Sequence, residues 1–375
     1  MKKFNTRMTY GKKKRSLAVR ILRGMGIALL AVVVLLAGGI AFLSATEFRP
    51  QDVEAVELSG ASSGTLAAGD GITVVTWNVG YGALGDNADF FMDGGTMVQS
   101  ADEARLEQNL SGILAAIGEM DPDVLFLQEI DRDSTRSLHV DEVERFREAL
   151  AGYVSAFAEN FRVAYLPYPV PPMGKVDAGI ATFSSFPVLS AERIQLPVPF
   201  SWPVRMVNLK RCLLVTRLPV EGTDRQLVLV NLHLEAYDDG EGKTAQTRML
   251  AEFLESEAEA GNWVIAGGDF NQIFSSADGE AYPAQEGKWA AGEVDETQFG
   301  EGWQFLMDER VPSCRSLDQP YEGADRAGFQ YYLIDGFIVS SNLTVEGLET
   351  LDLDFVCSDH NPVLLHVTLT EEETP

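Results

Sequence analysis

Residues 71–129 read as strand, helix and strand, and this unit constrains the rest of the chain more than any other stretch. Gly71-Ile-Thr-Val-Val-Thr-Trp-Asn78 is a short apolar, β-branched run that ends in an amide. From Asp102 to Met120, Leu106, Leu110, Ile113, Leu114 and Ile117 recur at spacings of three and four, which makes one apolar helical stripe. Asp121-Pro122 stops it. Val124-Leu-Phe-Leu-Gln-Glu129 is then apolar until its end, as a buried strand requires. Such a unit predicts an α/β layered fold. If the two strands are neighbours, Asn78 and Glu129 share one rim, where a rigid framework holds polar groups in place.

The later segments repeat the pattern of apolar strands ending in polar groups. Gln226-Leu-Val-Leu-Val-Asn-Leu-His-Leu234 carries Asn231 and His233 two apart, hence on one face. In Asn262-Trp-Val-Ile-Ala-Gly-Gly-Asp-Phe-Asn271 the two glycines allow close backbone approach, and Asp269 and Asn271 sit at the exit, where an Asx-type turn is the alternative. Phe329–Val339 is read as a strand with Asp335 embedded in it. A buried carboxylate without a partner is costly, and His360 is the candidate partner. Cys357-Ser-Asp-His-Asn-Pro362 then leads into the apolar run Val363-Leu-Leu365. Helices are expected at 140–150 and 242–259, and further strands at 179–188 and 206–218. The acidic loop 84–100, with Asp86, Asp89 and Asp93, reads as solvated surface, with a metal or substrate role as the alternative. The Pro- and Tyr-rich stretch 161–175 reads as a stiff structural loop, or as a substrate wall from which Lys175 reaches a phosphate.

Gly24 to Thr46 contains no charged residue. As a helix it would be about 34 Å long, enough to cross a ~30 Å hydrocarbon core. Nine of the 29 Lys and Arg precede it, within residues 1–23, and no acid does. That asymmetry predicts a cytoplasmic amino terminus and an extracellular body. A cleaved signal peptide is the competing reading, but its apolar region would be shorter, and Leu43 is poorly placed for a small-x-small site around Ser44-Ala45. The expected layout is a basic cytoplasmic tail at 1–23, a transmembrane helix at 24–46, a flexible linker at 47–70 and one domain at 71–371. A single domain follows because the polar strand ends run from Asn78 to His360, and a cut between them would split the set.

Beyond residue 23 the chain carries 56 acids against 20 bases. Such a body repels polyanions, and tight duplex nucleic-acid binding is not favoured. Cys212, Cys314 and Cys357 fit no zinc pattern and allow at most one bridge. The polar set is Asn78, Glu129, Asn231, His233, Asp269, Asn271, Asp335, Asp359 and His360. Oxygen ligands without a Cys or multi-His cluster suit Mg²⁺, with Mn²⁺ or Ca²⁺ as alternatives. No phosphate-cradling loop with Lys-Ser/Thr is present, which argues against an NTP site.

Six short pieces in order resemble the endonuclease/exonuclease/phosphatase superfamily of magnesium-dependent phosphoesterases. They are Thr76-Trp-Asn-Val79, Leu127-Gln-Glu129, Asn231-Leu-His-Leu234, Gly268-Asp-Phe-Asn271, Ile334-Asp335 and Ser358-Asp-His-Asn-Pro362. The resemblance implies a four-layer α/β sandwich, two packed mixed β-sheets flanked by helices. It also implies metal ligation by Glu129 with Asn78 and Asp359, and activation of water by Asp269. Asn271 would contact the phosphate, and His360, held by Asp335, would donate to it. His233 matches a histidine of the deoxyribonuclease, sphingomyelinase and phosphatase branches that the abasic-site repair branch tends to lack. Asn231 and Lys175 are the expected substrate-binding residues. The expected activity is hydrolysis of a small or lipid phosphoester at the cell membrane. An extracellular nuclease is the first alternative, and a binding domain without catalysis is the second.

Overall fold

A computed structural model describes residues 16–238 and 240–370. Most of the expected basic tail, and residue 371 of the expected domain, lie outside the described residues. The chain divides after Thr46. Before that point Leu17–Thr46 is one 30-residue helix with no buried residue, with a mean hydropathy of 2.7 in its most apolar window.

From Glu47 onward, two seven-stranded sheets dominate. In one the order is Leu343–Thr350, Val363–Leu369, Gly71–Asn78, Val124–Asp131, Gly174–Ser184, Val154–Leu166, Leu58–Gly60. In the other it is Val53–Val56, Ser190–Gln195, Cys212–Pro219, Gln226–His233, Trp263–Asp269, Asp335–Ser340, Trp303–Leu306. Both are mixed. Gly71–Asn78 runs parallel to Val124–Asp131, and Gln226–His233 runs parallel to Trp263–Asp269.

The period-two geometry of each strand explains the layering. Val74, Val124 and Phe126 face Leu227, Leu229 and Ile265 between the sheets. The alternate residues Val75, Trp77, Leu125 and Leu127 face outward against the helices Glu103–Met120 and Glu142–Ala149. Val228, Val230 and Val264 face outward against Glu241–Glu259. Strands clothed on both faces must be apolar throughout, which is why these runs show so little alternation. The arrangement is a four-layer α/β sandwich. Asp102 and Asp141 cap Glu103–Met120 and Glu142–Ala149 by accepting the backbone N–H of Arg105 and Glu144.

Two expectations change here. Residues 47–70, expected as a flexible linker, supply an edge strand to each sheet. Val53–Val56 pairs with Ser190–Gln195, and Leu58–Gly60 pairs with Val154–Leu166. Each piece is too short to show a period. It is ordered because a sheet edge with unpaired N–H and C=O groups is waiting for it. The loop 84–100 is not a solvated excursion. Ala88, Asp89 and Val98 are buried, and the Asp89 carboxylate accepts the backbone N–H of Thr96 and of Met97 (2.7 and 2.6 Å). An acid that gathers the loop's own amides can be taken out of water.

Candidate active site

The strand register brings the polar strand ends to one rim. Asp269 lies opposite His233 on one side and opposite Asp335 on the other. On the facing sheet Asn78 lies opposite Gln128, one residue before Glu129. A register shift between Leu127 and Ile130 puts Glu129 at a bulge, with φ +52°. A left-handed conformation at a non-glycine residue is uncommon and clusters at functional sites. Here it leaves Glu129 half-buried at the rim while both of its strand neighbours stay covered.

Asp269 is the hub. Its Oδ2 is 3.0 Å from Asn78 Nδ2, 3.4 Å from His233 Nε2 and 3.9 Å from His360 Nε2, and its Oδ1 accepts the Asn271 N–H at 2.9 Å. Burial and the Asp335 charge push its carboxyl up to about 7 against the opposing pull of His360. His360 Nδ1 lies 2.8 Å from Asp335 Oδ2. Burial works against a charged His360 ring, but the Asp335 carboxylate outweighs it and holds the pKa well above the ordinary value. His233 goes the other way. Burial, then Arg211, depress it, so its ring is neutral at pH 7. Arg211 bonds the His233 carbonyl at 3.1 Å and pairs with Glu235 at 3.4 Å. Asn271, also left-handed at φ +52°, donates from Nδ2 to Leu234 O at 3.0 Å.

Asp359 is buried, and its carboxyl is pushed up to about 6, chiefly by burial, with the Glu129 charge adding to it. Its Oδ1 has no hydrogen-bond donor among the described residues. Gly80, at φ +51°, leaves the space it needs: a Cβ there would sit 3.0 Å from that oxygen. The Asp359 carboxylate, whose pKa the Glu129 charge helps to raise, together with Glu129 and the Asn78 amide 3.4 Å from it, forms a hard-oxygen donor set that fits a divalent cation. Cys314 also approaches Asp359 and His360, but burial pushes its thiol up to about 12, so it stays protonated. All three cysteines are free thiols.

Of the two expected substrate-binding residues, Asn231 is buried between the sheets and Lys175 is held in an ion pair. Asn231 donates to Leu127 O and Ala181 O (3.3 and 2.8 Å) and accepts from Gln128 Nε2 (2.8 Å), so it clamps one sheet to the other. Lys175 is half-exposed and paired with Asp133.

Several residues beyond the expected set join the rim. Tyr81, in the turn after Asn78, is buried beneath Arg136, whose guanidinium lies 3.7 Å from the ring centre. Ser313 Oγ accepts the N–H of Ile334 and Asp335. Asp93 takes the Tyr237 hydroxyl at 3.0 Å, and burial, with the Asp359 and Glu129 charges adding, pushes it up to about 6. Only the acid-rich composition of the loop hinted at Asp93.

Gly268, at φ +151°, is the tightest point of the rim, since a Cβ there would lie 1.9 Å from Leu232 O. Gly268→Ala is expected to cost about 1–3 kcal/mol by overpacking and to displace Asp269. Urea unfolding together with turnover checks this, and an unchanged midpoint would contradict it.

No curated protein sequence matches the chain. In fold it is similar to an endonuclease/exonuclease/phosphatase from Beutenbergia cavernae DSM 12333, at 19% identity and TM-score 0.55, covering 81% of this chain and 73% of that one. It is also similar to the human Nocturnin catalytic domain with bound sulfate anion, at 17% identity and TM-score 0.52, covering 84% and 97%. A third is D. rerio TDP2 complexed with a single strand DNA product, at 17% and 0.50, covering 80% and 99%. At these identities the likeness is one of fold. The sequence profile of the Endonuclease/Exonuclease/phosphatase family matches residues 75–360, which span every residue of the rim cluster, and the chain belongs to that family.

Proposed function

We propose that this protein is a membrane-anchored phosphoesterase that hydrolyses a small or lipid phosphoester outside the cell. The observation that carries the reading is the cluster of Asn78, Asp269, His233 and the His360–Asp335 pair, all buried, with half-buried Glu129 beside them at one rim. Glu129, Asn78 and Asp359 would hold a divalent cation, Mg²⁺ by the hardness of its ligands, with Mn²⁺ or Ca²⁺ as substitutes. When bound, that cation supplies polarisation of a phosphoryl oxygen. Asp269 accepts the proton of the attacking water, and its partners Asn78 and Asn271 keep it aimed. His360, held protonated by Asp335, donates to the phosphoryl oxygens where charge develops. Neutral His233, beside Asp269, is suited to relay a proton toward the leaving group.

The uncharged run ending at Thr46, with nine bases before it, supports a single span with the body outside. The surplus of acids argues against a nuclease. The test is turnover of a bis-aryl phosphodiester, a phospholipid, a phosphoinositide and supercoiled plasmid, each with Mg²⁺ and with chelator. Chelator is expected to abolish turnover of one of the first three, and Mg²⁺ to restore it. Plasmid nicking alone would favour the nuclease, and no turnover of any substrate would favour a binding domain.

A further inference from the structure

The end of the molecule that carries the rim also carries its exposed apolar loops. Outside the N-terminal helix, Met92, Tyr165, Tyr168, Val170, Trp202 and Val204 are among the large apolar side chains most open to water, Val170 at 94%. They belong to three loops that share one small core. Phe90, Phe91 and Val98 pack with Val163, Leu166 and Met173 and with Val207 and Leu209, and the Phe91 ring meets that of Tyr168 at 5.7 Å.

Register fixes where this face lies. Ile130 pairs with Gly179, so the hairpin of Val154–Leu166 and Gly174–Ser184 continues five residues past Ile130, to Gly174. At ~3.3 Å per residue it stands roughly 16 Å beyond Ile130, the residue after Glu129. The loop holding Trp202 and Val204 ends at Arg211, which bonds the His233 carbonyl. Asp93, next to Met92, accepts the hydroxyl of Tyr237, four residues beyond His233. The apolar tips therefore stand around the mouth of the site.

The chain that enters this face comes straight from the apolar helix. Glu47, one peptide bond after Thr46, pairs with Arg205 at 3.0 Å and with Arg49 at 2.9 Å. Phe48 lies under two guanidiniums, those of Arg162 and Arg193, at 5.7 and 5.6 Å. Asp52 O accepts the Gln195 N–H at 2.8 Å, and Val53 begins an edge strand. Glu47, the first residue of the body, is thus held to the loop that carries Val204. Arg49 and Arg205 share the single carboxylate of Glu47, and Arg162 pairs with Glu159, so bases are in local excess here on a chain of net charge −27.

We propose that the tips of loops 90–93, 165–173 and 200–207 lie on the lipid bilayer that Leu17–Thr46 enters, so that the site opens onto phospholipid headgroups. The inference rests on reading that helix as a membrane span and the rim as a phosphoesterase site, and it narrows the substrate to a lipid phosphoester presented at the interface. Apolar tips with flanking arginines suit the boundary between acyl chains and anionic headgroups.

The test uses the full chain in vesicles of phosphatidylcholine and phosphatidylglycerol at about 4:1, an anionic surface of the kind the arginines suit, in a Cys357→Ala background. An environment-sensitive dye is placed at Val170→Cys, at Val204→Cys or at Thr223→Cys. Thr223 follows the far end of the strand Cys212–Pro219, ~26 Å from the rim. A quencher carried on lipid is expected to dim the first two labels at least fivefold more than the third. Equal dimming at all three positions would overturn the proposal. The double variant Tyr168→Ser/Val170→Asp is expected to lose at least tenfold in turnover of phospholipid in those vesicles. Its turnover of bis-aryl phosphodiester in detergent is expected to stay within twofold of the parent. Parallel losses on both substrates, or none on either, would also overturn it. A parent inactive on both substrates would sink the phosphoesterase reading, and the quenching result then decides the docking face alone.

Discussion

Asp269→Asn is expected to lower turnover by about 10²- to 10⁴-fold with little change in KM, the range for removing a positioned general base. The substitution keeps the shape of the side chain and the contact to the Asn271 N–H. It removes the charge that faces His233 and His360 and turns an amide donor toward Asn78. Stability is expected to move the other way. Asp269 lies directly opposite Asp335, and its carboxyl is pushed up to about 7. An acid whose folded pKa lies above its unfolded value destabilises the fold progressively as pH rises from about 4 through the folded pKa. At pH 8, in chelator, the asparagine variant should therefore melt above the parent. Steady-state kinetics on a bis-aryl phosphodiester and a thermal melt check both halves. Turnover within tenfold of the parent would remove Asp269 from the chemistry.

Asp131→Ala should be the most destabilising change away from the rim, at about 3–5 kcal/mol, because it strands a buried guanidinium. Arg136 makes two bonds to the Asp131 carboxylate, at 3.1 and 2.9 Å, and Ser137 adds a third at 2.8 Å. Both members of the pair are buried, and Arg136 also stacks on Tyr81. A native domain has only about 5–15 kcal/mol of stability in all, so the variant should be partly unfolded near 37 °C. The double variant Asp131→Ala/Arg136→Met should recover part of the loss, since no unpaired charge remains. Urea midpoints of the two variants decide it. A single variant within 1 kcal/mol of the parent would show that the pair contributes little.

The sequence revealed the framework more readily than the detail. Buried strands such as Val124–Asp131 are legible because their apolar character is intrinsic, and the residues at their ends can be listed without knowing how the strands pair. The partnership of Asp335 with His360 was legible for a similar reason, since a buried acid must be compensated. What failed depends on pairing. Asn231 shares a face with His233, and only the facing sheet shows that its amide is bound to Gln128, Leu127 and Ala181. Lys175 looked free until the fold put Asp133 beside it. The edge strands Val53–Val56 and Leu58–Gly60 carry no period of their own, and the left-handed backbone of Glu129 arises from a bulge that no local residue preference announces.

The pairing of Gly71–Asn78 with Val363–Leu369 has a consequence for the order in which the molecule is made. Thr76 meets Val363, and Ser358 Oγ reaches the Asn78 carbonyl at 2.7 Å, so the first and last long strands of the body are neighbours. Contacts so distant in sequence form late. During synthesis the apolar strand Gly71–Asn78 must wait for nearly the whole chain before its second neighbour exists, and the rim that joins Asn78 to His360 cannot close on a nascent fragment. A ribosome-bound chain lacking its last strand should therefore be inactive.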